Sequence, residues 1–325
     1  MIVIIPILLL FAIYHIYIWL NPPPRVTNPS SRYVVISGCD SGFGYMLAQQ
    51  LDKLQYNVYA GCLTDQGIQQ IQSTCSKRVH PIRLDITKQN DIDSLVNTVK
   101  QSTSTIHALV NNAGIGEGGF VDWMSNDMYR KVMDVNLFGH IQMTKSFIPL
   151  LIAQRNSRVV NVTSAAGIIA FPGLSAYSAS KFALEAFSDA LRREMYQFGL
   201  HVSIVEPGYM ATAIITNGLS SQEKQWQSVS NDVRSRWGDD THNAYLNSNS
   251  RLTGRAGDPQ SVVHELIDCV TSSRPYSRYR VGPGAKIALL IQSMPTFITD
   301  YILQLFVSGV PKPKFIRDGL QKNVL

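Results

Sequence analysis

The sequence predicts an α/β protein built on a parallel, doubly wound sheet. From residue 33 onwards, short apolar segments with strand character alternate with segments in which apolar residues recur at helical spacing. A glycine-rich turn joins the first strand to the first helix, an arrangement that suits phosphate binding. Because ligands of such sheets bind at the carboxyl ends of the strands, the residues that follow each predicted strand form the candidate site.

Composition limits the class of protein. With 325 residues, of which 45% are hydrophobic and 16% charged, the chain can bury the core of one large domain with appendages. The net charge of +6 comes without a run of lysines and arginines, so we expect no nucleic-acid partner and favour an anionic cofactor or acidic lipid. The four cysteines lack the spacing of zinc ligands, and we expect reduced thiols and no metal.

Residues 2–20 are almost wholly apolar, and as a helix they would span about 28 Å, close to the thickness of a bilayer core. They predict a membrane anchor at residues 1–20. A cleaved signal peptide is the alternative, but the Asn-Pro-Pro-Pro run that follows does not resemble a cleavage site. Arg25 and Arg32 come next and place the body in the cytosol by the positive-inside rule. Residues 21–31 predict a semi-rigid linker.

The folded body begins with a strand at residues 33–37, followed by the glycine-rich turn at residues 38–44 and a helix. Backbone N–H groups of such a turn can approach a pyrophosphate at the positive end of the helix. The spacing is Gly-x-x-x-Gly-x-Gly, which differs from the common dinucleotide fingerprint, so a purely structural turn is the alternative.

The second strand, at residues 57–61, is expected to end near the ribose of adenosine. An acidic residue there selects NAD, and a basic residue selects NADP. Residues 62–65 read Cys-Leu-Thr-Asp, so there is no acid at the expected position and Asp65 comes a few residues late. The absence of arginine and lysine at this point favours NAD.

Further strands are predicted at residues 79–85 and 108–111, with a helix at 91–100 between them. Asp85 and Asn111 end these two strands and are therefore placed at the ligand-binding edge of the sheet. The strand at 108–111 runs directly into a turn of sequence Asn-Ala-Gly.

The residues with the clearest chemistry follow a strand at 159–163. Ser164 lies at the mouth of this strand, and Tyr177 and Lys181 share one face of the next helix with Cβ atoms roughly 6 Å apart. A buried ammonium at that distance lowers the pKa of a tyrosine from about 10, which makes Tyr177 a candidate acid/base. Alone, Tyr-x-x-x-Lys is a weak motif, and an exposed Tyr/Lys pair is the alternative.

The remaining chain adds strands at residues 202–206 and 278–281, separated by a long polar insertion. We expect the insertion, residues 209–255, to form a mobile substrate lid, with ordinary exposed helices as the alternative. Residues 286–310 are strongly apolar, but interruptions argue against a simple membrane span. From Thr296 onwards the pattern suits an in-plane membrane helix, a cap over an apolar entrance, or a helix packed on the domain or on a dimer partner.

Together, these residues resemble the short-chain dehydrogenases/reductases over about residues 32–284. The joint pattern comprises the glycine turn, the run Asn-Asn-Ala-Gly from residue 111, Asn136, Ser164, Tyr177 with Lys181, and Pro207-Gly208 with Thr212. Within the family, the glycine turn, Cys62-Leu63-Thr64 and the anchor are most similar to the retinol and 3α/17β-hydroxysteroid dehydrogenases of the endoplasmic reticulum. Hydroxybutyrate dehydrogenase shares related features.

The resemblance implies one Rossmann-type domain with about seven parallel strands, followed by a hydrophobic and amphipathic extension at residues 285–325. It implies that Tyr177 is the general acid/base, that Lys181 holds the nicotinamide ribose, that Ser164 orients the substrate oxygen and that Asn136 supports a proton-relay water. The cofactor contacts that it implies are Gly38, Ser41, Gly42, Phe43, Gly44, Asp85, Asn111, Ala113, Tyr177, Lys181, Pro207, Gly208 and Thr212.

We therefore expect an enzyme that reversibly oxidises a hydrophobic alcohol, retinol or a hydroxysteroid, with NAD as the favoured cofactor and NADP as the less favoured one. The expected location is the endoplasmic reticulum membrane, reached through residues 2–20, and a homodimer is a candidate assembly. One alternative is a hydroxybutyrate-type dehydrogenase, which would need a basic carboxylate-binding residue. The other is a non-catalytic dinucleotide- or lipid-binding scaffold.

Overall fold

The structure is a computed structural model that describes residues 21, 23–254, 256–307 and 310–322. The predicted membrane anchor at residues 1–20 lies outside the described residues. Among the helices of the described ranges, none has both the length and the apolar character that crossing a membrane requires.

The fold is organised around one sheet of seven parallel strands in the order β3-β2-β1-β4-β5-β6-β7. This confirms the predicted fold class, and each strand agrees with its prediction to within two residues. The strands are β1 (Tyr33–Ser37), β2 (Asn57–Cys62), β3 (Val79–Arg83), β4 (Ala108–Asn111), β5 (Arg158–Val162), β6 (His201–Pro207) and β7 (Arg278–Val281).

Helices cover both faces of the sheet, because successive side chains of each strand point to opposite faces and both sets are apolar. Val34 and Ile36 of β1 pack on one side, whereas Val35 packs on the other. The helices are α1 (Gly42–Lys53), α2 (Asp65–Thr74), α3 (Gln89–Ser102), α4 (Asn126–Met133), α5 (His140–Ile152), α6 (Ser175–Glu194), α7 (Ala213–Ser228), α8 (Asn231–Trp237), α9 (Asp239–Thr253), α10 (Pro259–Thr271), α11 (Ala285–Gln292), α12 (Thr296–Val307) and α13 (Lys314–Lys322).

The strand order reverses at β1, which lies between β2 and β4. Chain connections on the two sides of this point lead away from each other, and a cleft opens at the carboxyl ends of the strands. The glycine turn after β1 and the residues after β4, β5 and β6 all lie at this edge.

The insertion between β6 and α10 forms three helices, α7, α8 and α9. They are fixed by an aromatic cluster in which Trp226 and Tyr245 pack against Trp123 of the loop after β4. Asp122 binds both Trp237 and Arg236 across the same junction. The insertion is therefore a packed helical layer over the cleft, rather than an exposed pair of helices.

The C-terminal helices α11 and α12 pack on the domain beside the cleft. Ala288 and Leu303 form a buried cluster with Ile168 and Ile169 of the loop after β5. The outer surface of α12 stays apolar, and Phe297 is 75% exposed. Both helices therefore pack on their own domain, one of the arrangements that the sequence left open, and contact of the exposed apolar surface with a membrane or a dimer partner stays a prediction.

The predicted linker is bound to the body in part. The backbone N–H of Val26 donates to the carbonyl of Thr271, that of Ser273 donates to Pro24, and Arg25 pairs with Asp268 at 2.6 Å. Residues 24–26 are therefore held at the end of α10, a contact that the expectation of a semi-rigid linker did not include.

Candidate active site

A cavity of about 1210 Å³ lies at the carboxyl ends of the strands. Pockets for one drug-sized ligand are roughly 300–1,000 Å³, so this cavity has room for a dinucleotide together with a second molecule. Most of the sequence-predicted site residues line it, namely Gly38, Ser41, Gly42, Phe43, Asp85, Ala113, Ser164, Tyr177, Lys181, Pro207, Gly208 and Thr212. Gly44, Asn111 and Asn136 are not among the lining residues.

The glycine turn provides one end of the cavity. Gly38 and Gly42 have φ values of +75° and +61°, which side-chain-bearing residues rarely adopt. Helix α1 begins at Gly42, and Ser41 occupies its N-cap without a side-chain capping bond to the described residues. The first N–H groups of α1 lack intrahelical partners, so the turn fits the phosphates of a dinucleotide.

Gly44 supports this turn from below. A Cβ atom at this position would lie 2.3 Å from the carbonyl oxygen of Gly38 and 2.6 Å from Nδ2 of Asn112. Its expected direct contact with a phosphate stays a prediction. Glycine is required here because α1 approaches the turn too closely for a side chain.

Asn112 is a cavity residue that the sequence reasoning missed. Its Nδ2 donates to the carbonyls of Ser37 and Gly38 at 3.0 and 2.9 Å, so it fixes the glycine turn to the end of β4. Asn111, which we expected near the ribose, is instead fully buried and donates to Thr144 and Asn161. Successive strand residues face opposite sides, so the side chain of Asn111 points away from the cavity towards α5, and the expected position of Asn111 near the ribose stays a prediction.

Ser164 and Tyr177 come together in the cavity wall from two different elements. Ser164 follows β5, where its Oγ accepts from the N–H of Ala166 at 3.1 Å, and Tyr177 lies in the first turn of α6. Burial raises the pKa of Tyr177, and a hydrogen bond with Ser164 acts in the opposite direction. The two hydroxyls can therefore hold the same substrate oxygen.

Lys181 is buried one turn further along α6. Its Nζ donates to the carbonyl of Val162 at 2.9 Å and lies 5.6 Å from the centroid of the Tyr177 ring. Burial lowers the pKa of Lys181 to about 8, while the charge of Glu185 raises it. The expectation that the lysine lowers the pKa of Tyr177 is corrected here, because desolvation dominates and raises that pKa.

Asn136 lies behind the cavity wall in a short π-helix, Asp134–Gly139. Its Oδ1 accepts from the N–H of Ile115 at 2.9 Å, and its Nδ2 donates to the carbonyl of Ile115 and to Ser180. Ser180 in turn donates to the carbonyl of Tyr177. Asn136 therefore ties the loop after β4 to the helix that carries Tyr177, and its role in a proton relay stays a prediction.

The far side of the cavity is formed by the helical insertion, by α11 and by the loop after β5. Its wall is apolar with several uncharged polar side chains, and none of the described residues that α7 and α9 contribute to it is basic. The apolar lining includes Ile169, Phe171, Leu174, Ile214, Ile215, Ile287 and Ile291, and the polar lining includes Asn217, Gln222, Ser248 and Asn249.

Residues 32–223 match the family described as short chain dehydrogenase. The chain is 40% identical to retinol dehydrogenase 16 of Rattus norvegicus over 297 residues, which cover 89% of this chain and 92% of that protein. It is 37% identical to 17-beta-hydroxysteroid dehydrogenase type 6 of Bos taurus over 311 residues, which cover 94% of this chain and 96% of that protein.

Solved structures share the fold. A short-chain dehydrogenase from Burkholderia phymatum in complex with NAD has a TM-score of 0.66 at 20% identity, covering 81% of this chain and 92% of that one. Another, from Burkholderia cenocepacia in complex with NADP, has a TM-score of 0.64 at 20% identity, covering 84% of this chain and 97% of that one. At this identity the likeness establishes the fold alone.

Proposed function

The chain belongs to the short-chain dehydrogenase family and is an NAD(P)-dependent oxidoreductase, and from this premise we propose that it oxidises a hydrophobic alcohol, retinol or a hydroxysteroid, with NAD. The observation that carries the proposal is the meeting of the Ser164 and Tyr177 hydroxyls, beside Lys181, in a cavity that also contains the glycine turn. The reaction converts the alcohol to an aldehyde or ketone and is reversible.

A bound nicotinamide dinucleotide would supply the acceptor for the hydride of the carbinol carbon. The chain's own residues handle the proton and the oxygen. Ser164 donates a hydrogen bond to the substrate oxygen and fixes its position. Tyr177 takes the hydroxyl proton as general base, and in the reverse direction returns it to the carbonyl oxygen. Lys181 lines the cavity beside the ring of Tyr177 and is placed to hold a ribose hydroxyl.

The cavity wall supports a hydrophobic substrate. A hydroxy acid such as hydroxybutyrate needs a cation for its carboxylate, and the described lining residues of α7 and α9 offer amides, hydroxyls and apolar side chains. The basic lining residues of α4 already have acidic partners, since Arg130 pairs with Asp127 and Lys131 pairs with Glu117. Two relatives whose names specify retinol and a hydroxysteroid also favour a lipid alcohol. A scaffold without chemistry is the less favoured alternative, because Ser164, Tyr177 and Lys181 are intact and converge.

The test is oxidation by the full chain in membranes, with NAD⁺ and NADP⁺ supplied side by side. The alcohols are retinol, a 3α-hydroxysteroid, a 17β-hydroxysteroid and 3-hydroxybutyrate, and reduced nicotinamide and the carbonyl product are both measured. We expect turnover of at least one lipid alcohol with NAD⁺ and none of 3-hydroxybutyrate. Cofactor binding without turnover of any alcohol would favour the scaffold instead.

Replacing Ser164 by alanine is expected to lower the rate and to change its pH dependence. The hydrogen bond with Ser164 lowers the pKa of Tyr177, so its loss raises that pKa and the base form appears only at higher pH. The ascending limb of kcat/KM for oxidation should therefore shift towards higher pH. Ser178→Ala is the control. It removes a buried hydroxyl from α6, the helix that carries Tyr177, and should keep the wild-type pH profile. If Ser164→Ala is slower but the ascending limb of its kcat/KM profile stays at the wild-type pH, the hydrogen bond assigned between Ser164 and Tyr177 would be contradicted.

We further propose that residues 2–20 anchor the enzyme in the endoplasmic reticulum membrane, with the body in the cytosol. The apolar length of this segment and the arginines that follow it support the proposal. The full chain should stay in the membrane pellet after alkaline carbonate extraction, and deletion of residues 2–20 should weaken that retention. In sealed microsomes the body should be open to added protease, and protection of the body would reverse the orientation.

A further inference from the structure

We infer that Asp40 is the residue that makes this site select NAD over NADP. The inference rests on the proposed function only in requiring that a dinucleotide binds along the glycine turn. Selection is usually assigned to an acidic residue at the end of the second strand, and residues 62–64 of this chain supply none. The structure brings an acid to that place from a different part of the chain.

Asp40 belongs to the turn between β1 and α1, yet its carboxylate binds the residues that follow β2. Oδ2 accepts from the backbone N–H of Leu63 at 2.8 Å. Oδ1 accepts from the N–H of Thr64 at 2.8 Å and from its Oγ1 at 2.6 Å. Asp40, Leu63 and Thr64 all line the cavity. The carboxylate is therefore held at the carboxyl end of β2, where the ribose of adenosine is expected.

The hydrogen bonds of Asp40 leave room for a hydroxyl but not for a phosphate. A carboxylate has about four acceptor positions, and the three bonds to Leu63 and Thr64 leave one for a ribose hydroxyl. A 2′-phosphate would meet a like charge at the same place. It would also lack donors, because the N–H groups of Leu63 and Thr64 are already bound to Asp40.

Nothing among the described residues of this part of the cavity offsets the negative charge. None of the lining residues between positions 38 and 87 is basic. Arg83 of β3 lies in register with Cys62, but its guanidinium pairs with Asp65 at 3.0 Å, and neither residue lines the cavity. Asp65, the acid that follows β2 in sequence, therefore binds Arg83 outside the cavity. Asp40 is the acid that lies where the ribose of adenosine is expected.

The experiment is calorimetric titration of the detergent-solubilised full chain with NAD⁺ and with NADP⁺. In Asp40→Asn, affinity for NADP⁺ relative to NAD⁺ should rise at least about tenfold over the wild type, because a like-charge contact is removed. Asp40→Glu retains the charge and should keep the wild-type preference. Because no alcohol is needed, failure to find an oxidised substrate would leave this test intact.

Asp52→Asn is the matched control. Asp52 bridges α1 to the loop between α2 and β3 by accepting from the N–H of Ser76 at 2.7 Å and from its Oγ, as Asp40 does with Thr64, but it does not line the cavity. Its replacement should leave the cofactor ratio unchanged. A folded Asp40→Asn protein with an unchanged ratio, or equal effects of Asp40→Asn and Asp40→Glu, would overturn the inference.

The wild-type protein provides a second measurement that does not depend on how the variants fold. NAD⁺ and NADP⁺ differ only in the 2′-phosphate, so raising the salt concentration screens whatever charge faces that group. If Asp40 repels it, NADP⁺ binding should strengthen relative to NAD⁺ as salt increases. A relative weakening of NADP⁺ would mean that a cation binds the phosphate, and the inference would be wrong.

Discussion

Tyr177→Phe is expected to reduce kcat for alcohol oxidation by about 10²–10⁴-fold, the usual contribution of a general acid/base. The variant keeps the aromatic ring that α6 contributes to the cavity wall, so the cavity retains its shape. It loses only the hydroxyl that shares a hydrogen bond with Ser164. The loss should therefore appear in kcat, whereas affinity for NAD⁺, measured by titration calorimetry, should stay within a few-fold of the wild type.

The control for this variant is Tyr129→Phe. The hydroxyl of Tyr129, in α4, lies 2.5 Å from Oγ of Ser175 at the start of α6. Tyr129 does not line the cavity. Removal of its hydroxyl tests whether a lost contact to α6 is enough to impair turnover. Near-wild-type activity of Tyr177→Phe, or an equal loss in both variants, would remove Tyr177 from the acid/base role.

Gly44→Ala is expected to damage both the fold and the cofactor site. The added methyl group would lie 2.3 Å from the carbonyl oxygen of Gly38, a backbone atom that cannot move independently of the turn. Overpacking of this kind costs about 1–3 kcal/mol of folding stability. A displacement of about 1 Å in a positioned site can also cost about 10²-fold in rate. Thermal unfolding and NAD⁺ titration measure the two effects.

Gly319→Ala provides the comparison. Gly319 lies in α13, and apart from its own helix no described atom lies within 4 Å of an added Cβ. Alanine is favoured over glycine in a helix by about 1 kcal/mol. This variant should be as stable as the wild type or slightly more stable, with unchanged cofactor affinity. Full NAD⁺ affinity in Gly44→Ala would show that the turn adapts and that its close packing is not required.

The fold class and much of the site follow from local patterns. Strands and helices alternate with distinct periodicities, so the order of elements can be predicted without knowing what they pack against. Tyr177 and Lys181 are four residues apart on one helix, and their neighbourhood is fixed by helix geometry alone. Ser164 follows a buried strand, and the parallel sheet brings all such positions to one edge.

Side-chain direction was harder to predict at the ends of the strands. Asn111 and Asn112 are adjacent, and a shift of one residue moves a side chain from the cavity edge to the interior. The register of β4 with β1 and β5 decides which of the two faces the glycine turn. That register depends on neighbouring strands, and the sequence of β4 alone does not contain it.

What the sequence determined by itself is therefore the α/β architecture, the glycine turn and the Ser164, Tyr177 and Lys181 set, because each depends on spacing along one segment. The tertiary structure decided which acid reaches the end of β2, since Asp40 and Leu63 are 23 positions apart and meet only when β1 and β2 pair. It also decided the direction in which the pKa of Tyr177 shifts, because burial depends on every element that packs around a side chain.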